Sequence, residues 1–189
     1  LHKFREHDGS LNNGLLLFNY MAVANECNPT GDDYEKAEEI LLNFELLYPK
    51  DKTKKMHLAE ILLSKNKFSE GWKRYEYRWG NYTGAPNPKP KPKFSRPEWE
   101  PNLGYKNILV WGEQGLGDQI LHGTVLEDFA KKFEKVYLAI DPRLLQLFQD
   151  SYPQISVFSI FDEINQDFFD YQIPLCSIGR YCRNRIDDF

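Results

Sequence analysis

The segment Trp111-Gly112-Glu113-Gln114-Gly115-Leu116-Gly117-Asp118 gathers the residue types that can do chemistry. It follows the apolar run Asn107-Ile108-Leu109-Val110-Trp111 and precedes the helically spaced Ile120, Leu121, Val125, Leu126 and Phe129. It therefore reads as a glycine turn between a strand and a helix. Gly112, Gly115 and Gly117 are expected to supply positive φ and to let a ligand approach the backbone. The following helix presents its free amides and positive dipole end to that ligand. The glycine order is G-x-x-G-x-G, so the dinucleotide fingerprint G-x-G-x-x-G is not met. No G-K-[ST] follows, so the turn is not a P-loop. Asp118 carries two readings. One is a helix N-cap, a position that Asp suits. The other is a carboxylate in a cleft that takes a proton from an acceptor hydroxyl. The two compete, because an amide hydrogen bond favours the charged carboxylate and weakens it as a base. His122 lies four residues on, on the same helical face. It reads either as a partner of that carboxylate or as a solvated side chain.

The elements that must position this turn alternate. Asn107 to Trp111 is a strand, Ile120 to Phe133 a helix, and Val136-Tyr137-Leu138-Ala139-Ile140 a second buried strand. Asp141-Pro142 starts a second helix, with Asp141 as its N-cap and Pro in the first turn. Ile155-Ser156-Val157-Phe158 is a third strand, and Asp170-Tyr171-Gln172-Ile173 a fourth. Such alternation predicts the α/β class, with parallel strands joined by right-handed crossovers in a partial Rossmann-like sheet. Ligands of such sheets bind beyond the carboxyl ends of the strands, where the glycine turn lies.

Upstream the pattern is helical and repeats. Tyr34, Ala37 and Leu41 match Phe68, Gly71 and Tyr75 at an offset of 34 residues. Each set holds an aromatic, a small and a large residue on one helical face. A period of 34 resembles the tetratricopeptide repeat (TPR). Pro49 stands where that family ends its second helix. Leu58, Ala59 and Leu62 stand where its first helix packs. Phe44 and Arg78 depart from the small residue usual late in the second helix. Leu15 to Cys27 reads as the first helix of an earlier repeat, with Asn28-Pro29-Thr30-Gly31 as its turn. The organisation is thus TPR-like helical repeats over 1–80, a Pro/Lys-rich linker over 81–104, and a partial Rossmann-like domain over 105–189. The linker's alternating Pro and Lys favour an extended, polyproline-like spacer against the next domain.

Composition narrows the partners. The 189 residues carry a formal charge of −4, with no basic stripe interleaved with aromatics, so no nucleic acid is expected. There is no apolar run of about 18 residues, and no membrane span is expected. Cys27, Cys176 and Cys182 lack a CxxC spacing and argue against disulfides and zinc, so no metal site and a cytoplasmic setting are expected.

A second resemblance spans about residues 32 to 180. It rests on Phe68-Ser69-Glu70-Gly71-Trp72-Lys73-Arg74-Tyr75-Glu76-Tyr77-Arg78-Trp79, on Arg96-Pro97-Glu98-Trp99, and on Ile108 to Asp118. Asp141-Pro142-Arg143-Leu144 and Ile173-Pro174-Leu175-Cys176-Ser177-Ile178 also fit. In order and spacing these resemble bacterial TPR proteins fused to a heptosyltransferase-like GT-B glycosyltransferase domain. The resemblance implies that the turn lies on the acceptor side, with Asp118 as catalytic base. Gly112, Glu113, Gln114, Gly115, Gly117 and His122 are then the expected substrate-binding residues. Gln119-Ile120-Leu121-His122 departs from the Thr and aromatic usual there. The nucleotide-sugar donor is held mainly by a second domain that these residues lack. No cofactor is expected here, and the donor is expected only in a full-length protein. Without that domain a fragment or degenerate relative is expected, inactive alone, and the start at Leu1 rather than Met adds the expectation that the natural start is missing. The alternative is a TPR-type interaction module with a non-catalytic α/β platform, holding a protein partner through its repeats. The acceptor would be a sugar or a protein. An incomplete sheet exposes an edge and apolar surface, so self-association is expected.

Overall fold

The computed structural model describes residues 31–47, 49, 52–79 and 91–189. The expected helix from Leu15 to Cys27, the Asn28-Pro29-Thr30 turn, most of the Pro/Lys run and the side chains of Tyr34 and Phe44 lie outside the described residues. The chain divides into two compact units, Leu1–Pro90 and Lys91–Phe189.

The first unit contains α1 (Gly31–Leu47), α2 (Lys52–Ser64) and α3 (Phe68–Tyr75), which ends in a 3-10 turn, Glu76–Arg78. α2 packs against both α1 and α3. Ala37, Leu41, Leu58, Ala59, Ile61 and Leu62 form its apolar core. Phe68, Trp72 and Tyr75 bury the matching face of α3. Gly71 on that face is small for a reason of distance. A Cβ there would lie 2.8 Å from Leu63 Cγ and 3.1 Å from its backbone nitrogen. Asn66, at φ 59°, reverses the chain between α2 and α3. The flanking Lys65 and Lys67 each reach Glu38 on α1 at 2.5 Å.

The second unit is an α/β sheet. Its strands are β1 (Asn107–Trp111), β2 (Lys135–Ile140), β3 (Ser156–Ser159) and β4 (Tyr171–Pro174). They run parallel in the order β3-β2-β1-β4. Chain progression therefore runs outward from β1 to β3, then reverses to place β4 on the other side of β1. Ile108, Val110, Val136, Leu138, Ile140 and Ile173 fill one face with Val125, Leu126, Phe129 and Phe148. Leu126 and Phe129 come from α5 (Leu126–Ala130), Phe148 from α6 (Leu145–Ser151), and Val125 from the turn between α4 (Leu116–Gly123) and α5; α7 (Gly179–Cys182) follows β4. On the other face, Phe94 packs on Trp111 and Phe169, and Phe168 stacks on Tyr137.

Two local expectations change. The single helix expected from Ile120 to Phe133 is two, α4 and α5. Gly123 carries no side chain because the Phe148 ring stands 2.5 Å from where its Cβ would be. Thr124 then closes the turn, both its N–H and its hydroxyl donating to Leu121 O at 3.3 and 2.7 Å. Asp141 caps a 3-10 turn, Pro142–Leu144, that leads into α6; its Oδ1 accepts from Arg143 N–H at 3.0 Å.

Residues 91–104 belong to the α/β unit. Gln172 N–H donates to Pro97 O at 3.0 Å and Trp99 N–H to Gln172 O at 2.9 Å, so Glu98 bridges to β4 in parallel. This short pairing covers that sheet edge. Arg96 Nε donates to Gln166 O at 2.8 Å. Trp99 is enclosed by Tyr105, Phe129, Phe133 and Tyr181, and its indole donates to Gly104 O. No helix among the described residues is long and apolar enough to cross a membrane.

Candidate functional site

The glycine turn leaves the carboxyl end of β1 and enters α4. Gly112 N–H donates to Ala139 O at 2.6 Å, carrying the ladder one residue beyond the strand. A Cβ at Gly112 would lie 2.6 Å from Gln119 Oε1 and 3.2 Å from Ile140 Cα. Glycine is needed there for close approach. The expected positive φ falls instead on Gln114, at 59°. Gly115 has φ −79° and ψ 172°, ordinary extended backbone, and Gly104 is the glycine with positive φ among the described residues. A non-glycine held in the left-handed region marks a turn fixed by its surroundings.

Gly115, not Asp118, is the N-cap of α4. The helix starts at Leu116, which puts Asp118 at its third position. From there Asp118 Oδ2 reaches back and accepts from Gly115 N–H at 3.0 Å. This is the acidic half of a capping box, and it also suits the helix dipole. The other oxygen, Oδ1, has no protein partner among the described residues. Asp118 itself is half-buried.

The remaining expected residues fall into two groups. Gln114, Gly115 and Gly117 are exposed, and Gly117 has open space where a side chain would be. Gly112 is half-buried, and Glu113 and His122 are buried. His122, only 6 % exposed, is thus not a solvated side chain. The cause is an inversion of polarity on α4. Gln119, His122 and Gly123 face inward, while Ile120 and Leu121 face out, Leu121 with 65 % of its surface exposed. Their apolar spacing suggested core positions, but the strand-facing side of this short helix is the polar one.

Gln119 was legible in sequence only as a departure from the usual Thr. In the fold its Oε1 accepts from Asp141 N–H at 3.1 Å. It thereby joins the first turn of α4 to the carboxyl end of β2. Asp141 also holds Arg143 through both oxygens, at 2.9 and 2.8 Å. Across β1, β4 ends in a buried 3-10 turn, Leu175–Ser177, that packs on α4. The strand order reverses at β1, and a crevice outside the carboxyl ends at such a reversal is where open α/β sheets hold ligands. Among the described residues no group of three or more His, Cys, Asp or Glu is gathered as a metal site.

No family model matches this chain, and no solved structure matches it. It is similar to Protein FlbA of Caulobacter vibrioides, with 31% identity over 105 residues. The match covers 52% of this chain and 17% of that protein, so the chain spans a small part of that relative's length.

Proposed function

We propose that the α/β unit is the acceptor-side part of a GT-B glycosyltransferase, built on a Rossmann-like sheet and preceded by TPR-like helical repeats. One observation carries the reading. Asp118 has one oxygen anchored on Gly115 N–H and the other without a protein partner, at the carboxyl end of β1. An anchored carboxylate with one unoccupied oxygen suits a general base. In the step proposed, Asp118 takes the proton of an acceptor hydroxyl. The acceptor oxygen forms a bond to the anomeric carbon of a nucleotide sugar. The bond from that carbon to the nucleotide phosphate breaks, and the phosphate leaves with the electron pair. The donor would be held by a further domain of a longer protein, in a cytoplasmic setting.

Asp118→Asn in that longer protein tests the reading. The amide oxygen still accepts from Gly115 N–H, so the helix start is preserved. Release of nucleotide is expected to fall by about 10²- to 10⁴-fold at an unchanged melting temperature. Turnover equal to the parent's would remove the base role.

A second reading, a TPR-type module that binds a protein partner, is favoured by α1. Leu46 and Leu47 there are 80 % and 73 % exposed.

A further inference from the structure

We propose that Asp162 is an edge guard: it closes the outer edge of β3 and keeps two copies of this chain from pairing strand to strand. β3 is the end strand of the sheet on the side away from β4. Its backbone groups alternate between β2 and the outer edge. Ile160 N–H donates to Ile140 O at 2.8 Å, one residue past the strand, and this fixes the phase of the alternation. Phe158 and Ile160 turn their backbone groups toward β2, and Val157 and Ser159 turn theirs outward. An outward row of N–H and C=O groups is a template for another strand. Asp162 takes Ser159 out of that row. Its Oδ2 accepts from Ser159 N–H at 3.1 Å, and its own N–H donates to Ser159 O at 3.1 Å. Phe161 N–H donates to Ser159 Oγ, also at 3.1 Å, and holds the turn against the strand end. At the other end, Ile155 is the outward position before Val157, and its N–H donates to Tyr152 O at 2.9 Å.

A second copy is the occupant that this edge excludes. Two identical strands can meet antiparallel across a two-fold axis, and such an interface is self-complementary. An axis at Phe158 sets Val157 opposite Ser159 of the second copy. Both are outward positions, so each N–H would donate to the other's C=O. By symmetry Ser159 meets Val157 of the second copy. Every hydrogen bond of this register therefore needs Ser159 N–H or Ser159 O, the groups that Asp162 occupies. An axis at Val157 sets Ser159 against Ile155, whose N–H is also taken, and leaves only the pairing of Val157 with itself. The guard stands whatever chemistry the glycine turn performs.

The test uses the whole chain, with sedimentation equilibrium and amide hydrogen exchange. Asp162→Ala frees Ser159 N–H and is expected to tighten self-association at least about tenfold, the worth of one hydrogen bond. Asp162→Asn keeps an oxygen for Ser159 N–H and is expected to associate like the parent. Val157→Pro removes an outward N–H that β2 does not use, a place where an edge strand tolerates proline. Added to Asp162→Ala, it is expected to return association to the parent's level. In the parent, the Ser159 amide is expected to exchange more slowly than the Val157 amide, a measurement that stands even where a variant does not fold. The proposal is overturned by an Asp162→Ala chain that associates no more tightly than the parent, or by an Asp162→Asn chain that associates like Asp162→Ala. Association that survives Val157→Pro, or a Ser159 amide that exchanges as fast as that of Val157, overturns it equally.

Discussion

At Gly112 the constraint is distance, and at Gln114 it is dihedral angle. The three glycines of the turn therefore differ in what they tolerate. Gly112→Ala would drive a Cβ to 2.6 Å from Gln119 Oε1 and 3.2 Å from Ile140 Cα, so the carboxamide must move off Asp141 N–H. Overpacking of this kind costs about 1–3 kcal/mol. Gly117 sits inside the first turn of α4 with nothing within 4 Å of its would-be Cβ. Gly117→Ala is expected to stabilise by about 0.5–1 kcal/mol, the usual gain of Ala over Gly within a helix. Urea unfolding of the two variants checks this. Equal effects of the two substitutions would show that the close contact at Gly112 is not what constrains the turn.

At the scale of elements, short polar contacts decide where helices start, stop and dock. α4 ends at Gly123, a position kept small by the Phe148 ring, although the apolar spacing runs on into α5. The extended segment before β1 docks by two backbone bonds to Gln172 and by the buried Trp99. In the helical unit, Glu38 ties α1 to the turn between α2 and α3 through Lys65 and Lys67. Burial pushes the Glu38 carboxyl up, but the hydrogen bonds and charges of the two ammonium groups outweigh it and hold it below the ordinary value. A carboxyl lowered in the folded state stabilises the fold above its unfolded pKa. That stability is lost as pH falls through the folded value. Glu38→Gln should therefore melt lower than the parent at pH 6, and the gap should close progressively below about pH 4.5. A gap that stays constant from pH 6 to 3 would show that the ion pairs add nothing.

At the scale of the whole molecule, the chain is two units with different surfaces to offer. The α/β unit presents the turn and an outward apolar pair, Ile120 and Leu121. The helical unit presents Leu46 and Leu47. If the second functional reading holds, a protein partner or a second copy covers that leucine pair. Leu46→Glu combined with Leu47→Glu in the whole chain is expected to reduce association, measured by light scattering for self-association and by capture for a partner. Unchanged association in both assays would leave the repeat-module reading without its supporting observation.

The strands β1 to β4, the glycine turn and the helical face bearing Ala37, Leu41, Phe68, Gly71 and Tyr75 were all legible in sequence. They rest on local patterns: continuous apolar runs for buried strands, helical spacing for faces and Asp-Pro for a helix start. Four features were decided only by tertiary packing. The need for glycine at position 123 depends on a ring that is 25 residues away in sequence, Phe148. The inward turn of Gln119 and His122 depends on which side of α4 meets the sheet. The cover on β4 comes from Pro97 and Trp99, far upstream. The standing of Asp118 at the third helical position depends on where Gly115 leaves extended backbone. Periodicity records which residues share a face. It does not record which face another element will claim, and at this turn that choice sets the chemistry on offer.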